Sequence, residues 1–190
     1  EGFARSDEKD LYALPDPNTF NILPWRPKTN AVGRMFCDIV TPNERYFEGD
    51  TRYVLRRNLE RAASLGFTYY VAPEIEYFYF KNADGTEMLD QGGYFDQDAT
   101  DLSTDLRRET VLMLEEFGIP VASSHHEAAP SQHEIDLKHT DALTMADTVM
   151  AYRLVVKEVA TKHGYYATFM PKPIAEVNGN GMHIHQSLWK

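Results

Sequence analysis

The sequence predicts an α+β domain, a largely antiparallel sheet backed by helices. Three observations carry that expectation. Three stretches repeat apolar residues at helical spacing, and the segments around them are dense in aromatic and β-branched residues. Connections are short and include a hairpin-type turn at Asp84-Gly85, which suits antiparallel neighbours better than long parallel crossovers. No internal repeat and no low-complexity tract interrupts the pattern.

Taken in order, residues 1–30 are rich in Pro, Asp and Asn, with Pro15, Pro17, Pro24 and Pro27 punctuating any regular element. They read as an extended lead-in that orders on contact, because Phe20, Ile22, Leu23 and Trp25 need cover. Met35 to Val40 is a short strand candidate ending at the Thr41-Pro42-Asn43 turn. From Thr51 to Leu65, the spacing of Tyr53, Val54, Leu55, Leu59, Ala62 and Ala63 predicts an amphipathic helix with Gly66 as its terminating glycine. Phe67 to Phe80 reads as strand, broken at Pro73. Asp101 to Phe117 predicts a second helix, capped by Ser103 or Thr104, burying Leu106, Val111, Leu114 and Phe117, and closed by Gly118. Ile119 to Ser123 and Glu134 to Leu137 are short strands. A long helix is expected from Asp141 to His163, with Met145, Val149, Tyr152, Val156 and Val159 inward. Tyr165 to Met170 and Gly181 to Leu188 supply the last strands, around a loop holding Pro171, Pro173, Gly179 and Gly181.

The bulk composition bounds the function. With 190 residues the chain can bury one substantial core, and 43% hydrophobic with 25% charged residues is ordinary for a globular domain. A net charge of -10 argues against nucleic acid and against an anionic membrane as partners, since both need a basic face. It does not argue against a phosphorylated substrate, provided divalent cations neutralise both sides. A single cysteine, Cys37, excludes an internal disulfide framework and fits a reducing cytoplasm. No apolar run approaches the roughly 20 residues of a membrane span. The first residue is Glu1 rather than methionine, and the last, Lys190, follows an apolar-alternating stretch, so a segment of a longer protein is expected.

Chemistry concentrates in Ser124–Asp136, where three of the chain's seven histidines and three carboxylates fall together. Glu127 and Glu134 bracket a segment in which Pro130 and small residues let the chain turn back, bringing both carboxylates to one place. Glu74 and Glu76 sit two apart in a strand, so they project from one face, continued by Phe78 and Phe80. Two carboxylates on a buried face repel unless a cation lies between them. His183 and His185 likewise share a strand face, after the turn Asn178-Gly179-Asn180-Gly181, whose glycines let backbone amides approach an anion. Each feature alone reads first as solvated charge or as a turn. Together, four glutamates and a histidine on separate strands indicate a dinuclear site for hard divalent ions, Mg²⁺ or Mn²⁺. A closed zinc site would want cysteines, and a zinc hydrolase a His-Glu-x-x-His helix; neither is here.

With these blocks in view, the chain resembles the catalytic domain of type I glutamine synthetases over nearly its whole length. The resemblance rests on Ala72–Phe78, Gly92–Asp96, Ser124–Glu127, Gln132–Glu134, Ala167–Pro173 and Asn178–Leu188, in family order. It implies that residues 1–190 are an incomplete catalytic domain of that family's fold, without the N-terminal β-grasp domain and the C-terminal part of the catalytic domain. It implies one ion on Glu76, Glu127 and Glu134, and a second on Glu74 and His183. Asn178 and Gly179 match the contact with the glutamate substrate, and His185, Gln186 and Ser187 a nucleotide-contacting stretch. The implied reaction joins glutamate and ammonia at the expense of ATP through a γ-glutamyl phosphate. None of the matched residues is assigned a direct catalytic role. The implied assembly is a homo-oligomer of stacked rings.

Two positions depart from the family pattern. Ala122 stands five residues before Glu127, where members carry a glutamate facing the nucleotide or its metal, and Ala175-Glu176 replace a usual Phe-Gly. Both point to altered detail in nucleotide and acid binding rather than to loss of the site. A relative that joins glutamate to a larger amine, or a noncatalytic structural or regulatory relative, is the competing expectation. The isolated segment is expected to bind divalent metal weakly and to form no glutamine. His125, His126 and His133 are expected to orient the carboxylates, and Asp136 is left unassigned.

Overall fold

A computed structural model of the chain describes residues 10–96 and 102–190. In chain order it contains β1 (Tyr12–Pro15), a 3-10 turn (Pro17–Thr19), β2 (Asn21–Ile22), β3 (Gly33–Arg34), β4 (Cys37–Val40), α1 (Thr51–Ser64) and β5 (Thr68–Phe80). After the hairpin turn come α2 (Leu102–Glu116), β6 (Val121–His126), β7 (Gln132–Leu137), β8 (Thr140–Asp141), α3 (Ala142–Lys162), β9 (Tyr166–Thr168) and β10 (Met182–Trp189). Every strand pairing among the described residues is antiparallel, and the main sheet runs β10-β5-β7-β6, with β8 and β9 also pairing along β5.

The three helices form where caps and periodicity ask for them. Asp50 accepts from Arg52 N at 3.0 Å to start α1, and Asp141 accepts from Thr144 N at 3.0 Å to start α3. Gly66, Gly118 and Gly164 follow the three helices with φ of 82°, 88° and 78°, conformations that cost a side chain dearly. One face of the sheet, through Ile75, Tyr77, Tyr79, Ile135 and Leu137, packs on α2 and α3 through Leu106, Leu114, Tyr152, Val155, Val156 and Val159. Tyr152 Oη reaches across this core to donate to Ile75 O at 3.2 Å.

Several local expectations are corrected. Pro73 does not break its strand: β5 runs 13 residues through it. Glu76 N donates toward the β10 side, to Gly181 O, and Tyr79 N toward the β7 side, to Ser131 O. Odd-numbered residues therefore aim their N–H at the β7/β8 edge. Pro73 falls there between the β8 pairings at Tyr70 and Val71 and the β7 pairings that begin at Glu74, so no ladder bond is lost. Ser103 and Thr104 lie inside α2 and do not cap it; the expected start at Asp101 is outside the described residues. Val54 and Ala63 on α1 face solvent, and α1 buries no residue fully. The lead-in is partly strand. Its Leu23 and Trp25 pack on the core while Phe20 and Ile22 stay about half exposed, at 54% and 50%. The strands around Ser124–Asp136 extend further than expected, so that stretch is itself a hairpin, with only Glu127–Ser131 as turn.

The N-terminal ribbon is tied down by charge. Arg52 of α1 donates to Asp16, Asp38 and Asp147, joining the ribbon, β4 and α3 at one nearly buried guanidinium.

Candidate functional site

Side chains alternate along a strand, so the face opposite the helical core is set by the residues between the core positions. On β5 these are Glu74, Glu76, Phe78 and Phe80, and on β7 Gln132, Glu134 and Asp136. The pairing register sets them directly opposite one another: Glu74 faces Asp136, Glu76 faces Glu134 and Phe78 faces Gln132. On the outer sides, His183 pairs with Glu74, His125 with Glu134 and Ser123 with Asp136. Two rows of acidic and imidazole groups thus cross the sheet. Phe78 and Phe80 end that face as a small buried cluster with Ala129, covered by Ile174 and Val177 of the loop before β10.

The β6–β7 turn brings in the last carboxylate. Glu127 N donates to Gln132 O at 2.8 Å, closing the turn, and Ser131 takes φ of 61° within it. His125 Nε2 then lies 3.2 Å from Glu127 Oε1 and 3.2 Å from Glu134 Oε2, and ligand atoms of the three residues fall within 4.8 Å of one another. Glu76 Oε2 accepts from Gln132 Nε2 at 2.9 Å and from Gly181 N at 3.0 Å. Glu74 is held by the histidines of β10, with His185 Nε2 at 2.6 Å and His183 Nδ1 at 3.5 Å.

Electrostatics mark the cluster as one that a cation would stabilise. Burial, then Glu127, Asp136 and Glu76, push Glu134 up to about 9, and burial with Glu127 raises Glu76. Among the described residues Asp136 Oδ1 is buried without a partner, while its Oδ2 accepts from Ser123 Oγ. Glu74, with its two histidines, is instead held below the ordinary carboxylate value. Crowded oxygens, one orphaned oxygen and imidazoles at the rim are a donor set that fits hard divalent cations.

The loop between β9 and β10 is drawn onto this face. Asn180 N donates to Pro171 O at 2.8 Å and Asn180 Nδ2 to Met170 O at 2.9 Å. Gln132 Nε2, already on Glu76, also donates to Gly179 O at 3.0 Å and to Asn180 Oδ1 at 3.1 Å. A Cβ at Gly179 would stand 2.4 Å from Pro171 O, closer than any side chain tolerates. Gly179 therefore sits beside the carboxylates, with Asn178 exposed next to it. Along β10, His183, His185 and Ser187 share the carboxylate face. Gln186 alternates to the other side, where it accepts from Tyr69 Oη. Ala122 is the extra residue of a bulge, where pairing jumps from Val121 to Ser123, and Glu176 is exposed.

Three participants were not assigned from sequence. Asp136 and Gln132 could have been, because they keep step with Glu134 at period two. Asp90 could not, since it stands in a loop 36 residues from the histidine it touches. Asp90 Oδ1 accepts from His126 Nε2 at 2.9 Å, Ser131 N at 2.8 Å and Gly92 N at 3.0 Å, and its Oδ2 from Ser103 Oγ. His126 and His133 are fully buried beneath the turn.

Comparison with known proteins adds independent observations. A family model described as glutamine synthetase, catalytic domain, matches residues 48–190. The glutamine synthetase of Methanosarcina mazei is 50% identical over 194 residues, covering 100% of this chain and 43% of that protein. That of Mycolicibacterium smegmatis is 52% identical over 196 residues, covering 100% and 44%. The solved structure of Plasmodium falciparum glutamine synthetase superposes with a TM-score of 0.88 at 26% identity, covering 99% of this chain and 43% of that one. A solved structure of GmaS without ligand gives 0.89 at 33% identity, covering 98% and 44%. The chain spans less than half the length of these relatives.

Proposed function

This chain belongs to the glutamine synthetase family, as an incomplete part of its catalytic domain, and from that premise we propose that the full protein is an ATP-dependent ligase forming glutamine from glutamate and ammonia. The observation that carries the reading is the carboxylate face, with Glu76 opposite Glu134, Glu127 folded against Glu134 and Glu74 opposite His183.

In this reading Glu76, Glu127 and Glu134 hold one divalent ion, Mg²⁺ or Mn²⁺, and Glu74 with His183 a second. Such ions supply charge neutralisation for phosphate oxygens during transfer from ATP. The chain's own residues prepare that place. Gln132 and the Gly181 amide orient Glu76, while His125 bridges Glu127 and Glu134. Asn178 and Gly179, on the loop that Gln132 draws in, are proposed to meet the glutamate substrate. His185 and Ser187 lie on the carboxylate face and support a nucleotide contact there; Gln186 faces away, so its part would be to fix β10. Phosphorylation of the glutamate side chain makes its carbonyl carbon electrophilic, so that ammonia displaces phosphate from a γ-glutamyl phosphate.

The full protein is proposed to work as a homo-oligomer of stacked rings in the cytoplasm, a compartment that suits its free Cys37. Among the described residues no helix is long and apolar enough to cross a membrane. The segment 1–190 alone is proposed to be inactive.

The test is an acceptor screen on the full protein with ATP, glutamate and Mg²⁺ or Mn²⁺. Ammonia-dependent release of phosphate with glutamine as product is expected. A larger amine as the preferred acceptor, or no turnover together with no binding of Mn²⁺, would replace this reading by a γ-glutamyl-amine ligase or a noncatalytic relative.

A further inference from the structure

Beneath the carboxylate face lies a buried polar array. Asp90, in the loop after the Asp84-Gly85 hairpin, is 8% exposed at its side chain, and His126 and His133 are at 0%. Its Oδ1 gathers three donors from three pieces of chain: His126 Nε2 on β6, Ser131 N in the turn and Gly92 N in its own loop. Ser103 Oγ of α2 donates to Oδ2, and His133 Nε2 lies 3.5 Å from it, beyond a good hydrogen bond. Arg107 NH1 donates to His133 Nδ1 at 2.8 Å, which leaves the proton of neutral His133 on Nε2, facing Asp90. His126 Nδ1 in turn donates to Glu127 O at 2.7 Å. Ser131 Oγ returns the contact by accepting from Leu89 N and Asp90 N.

The Asp90, His126 and His133 ligand atoms lie close enough to suggest a metal site. Their hydrogen atoms argue otherwise. Both ring nitrogens of His126 already serve oxygen acceptors, and His133 Nδ1 is taken by Arg107. The array is a clamp, and both ends of the clamped turn carry the site. His126 precedes Glu127, and Ser131 and His133 flank Gln132 and precede Glu134. Gly92 is packed so close that a Cβ there would stand 2.7 Å from His126 Nε2, so the ring keeps its place only beside a glycine.

We propose that Asp90 is a positioning residue for the carboxylate face: by holding His126 and Ser131 at the two ends of the β6–β7 turn, it sets the separation of Glu127 and Glu134. The proposal deepens the metal-site reading given above and rests on it. Without Asp90 the turn keeps its closing bond from Glu127 N to Gln132 O but loses its tether to the underlying loop, so the two glutamates sample wider separations. Pre-organised ligands then become mobile ones, and residues that orient metal ligands typically matter by about 10- to 100-fold in affinity.

The experiment compares the full wild-type protein with Asp90→Asn, which keeps the shape and one acceptor, and Asp90→Ala, which keeps neither. A core variant, Leu114→Ala, serves as the control for general loosening. Mn²⁺ dissociation constants come from calorimetry, ligand-field disorder from the Mn²⁺ electron paramagnetic resonance linewidth, and turn mobility from amide hydrogen exchange at residues 127–134. Expected are a rise in dissociation constant of about tenfold or more for Asp90→Ala and a smaller rise for Asp90→Asn. Broadened Mn²⁺ spectra and faster exchange confined to the turn should accompany it, with Leu114→Ala at wild-type affinity. Wild-type affinity and exchange in Asp90→Ala would overturn the proposal, as would an equal affinity loss in Leu114→Ala. A wild-type protein that binds no Mn²⁺ would overturn the metal-site reading itself; unchanged exchange in Asp90→Ala would separately sink the positioning role.

Discussion

At the scale of single residues, two charges decide most. Glu134 carries a carboxyl raised to about 9 by burial and its acidic neighbours, and Glu76 is raised with it. A carboxyl raised in the fold contributes stability below its unfolded value, and that contribution fades as pH climbs toward the folded one. His133, held near 4 by burial, works the other way, but it is neutral in both states above about pH 7. The metal-free protein should therefore melt lower at about pH 9 than at about pH 7, and saturating Mg²⁺ or Mn²⁺ should shrink the difference. Glu134→Gln should flatten this slope in differential scanning calorimetry and weaken Mn²⁺ by at least about tenfold. Arg52 is the opposite case, a guanidinium with three aspartates around it, all nearly buried. Arg52→Met leaves nearly buried Asp147 without its ion pair, and leaves Asp16 and Asp38 to share Arg56 alone. It should cost about 3–5 kcal/mol in urea unfolding, since an uncompensated buried charge is far worse than none.

At the scale of elements, the β6–β7 hairpin and the β9–β10 loop bring groups to the site from either side of β5. Helix boundaries were readable to within a residue or two at α1 and α3, because signals such as Gly66 and Asp141 act through local backbone chemistry. The strands were less so. Pro73 looked like a break because one sequence does not reveal that its missing donor faces a gap between two partners. The β9–β10 loop yields a specific expectation. Gly179→Ala forces the loop off Pro171 and away from Gln132. KM for glutamate in the full protein should rise by about tenfold while Mn²⁺ affinity changes by less than about threefold, because Glu74, Glu76 and Glu134 sit on strands and Glu127 in the β6–β7 turn, none of them on this loop. An equal loss in both measurements would put the loop and the metal face in a single unit.

At the scale of the whole molecule, β10 lies at the edge of the sheet formed by the described residues, an eight-residue strand exposed along its length in the 190-residue chain. Met182, Ile184, Leu188 and Trp189 are 47%, 46%, 58% and 59% exposed. A long apolar edge with unpaired backbone groups is a template for another strand. The isolated 190-residue chain should therefore self-associate with concentration in sedimentation velocity, and Ile184→Lys should reduce that association. A monomer at all concentrations would show that the edge is protected by its own twist or by its charged neighbours.

The class of the fold, the three helices and the acidic chemistry of the face were legible without coordinates, since they depend on short-range patterns: caps, periodicity and residue type. So were Glu74, Glu76, Glu127, Glu134 and His183 as candidates. Their pairing was not, because register is a property of two strands, and a slip of one residue would have sent Glu134 into the helical core. Asp90 was illegible for the same reason at longer range: a lone aspartate in a loop has no pattern. Only the closed chain brings it under the turn that Glu127 and Glu134 share.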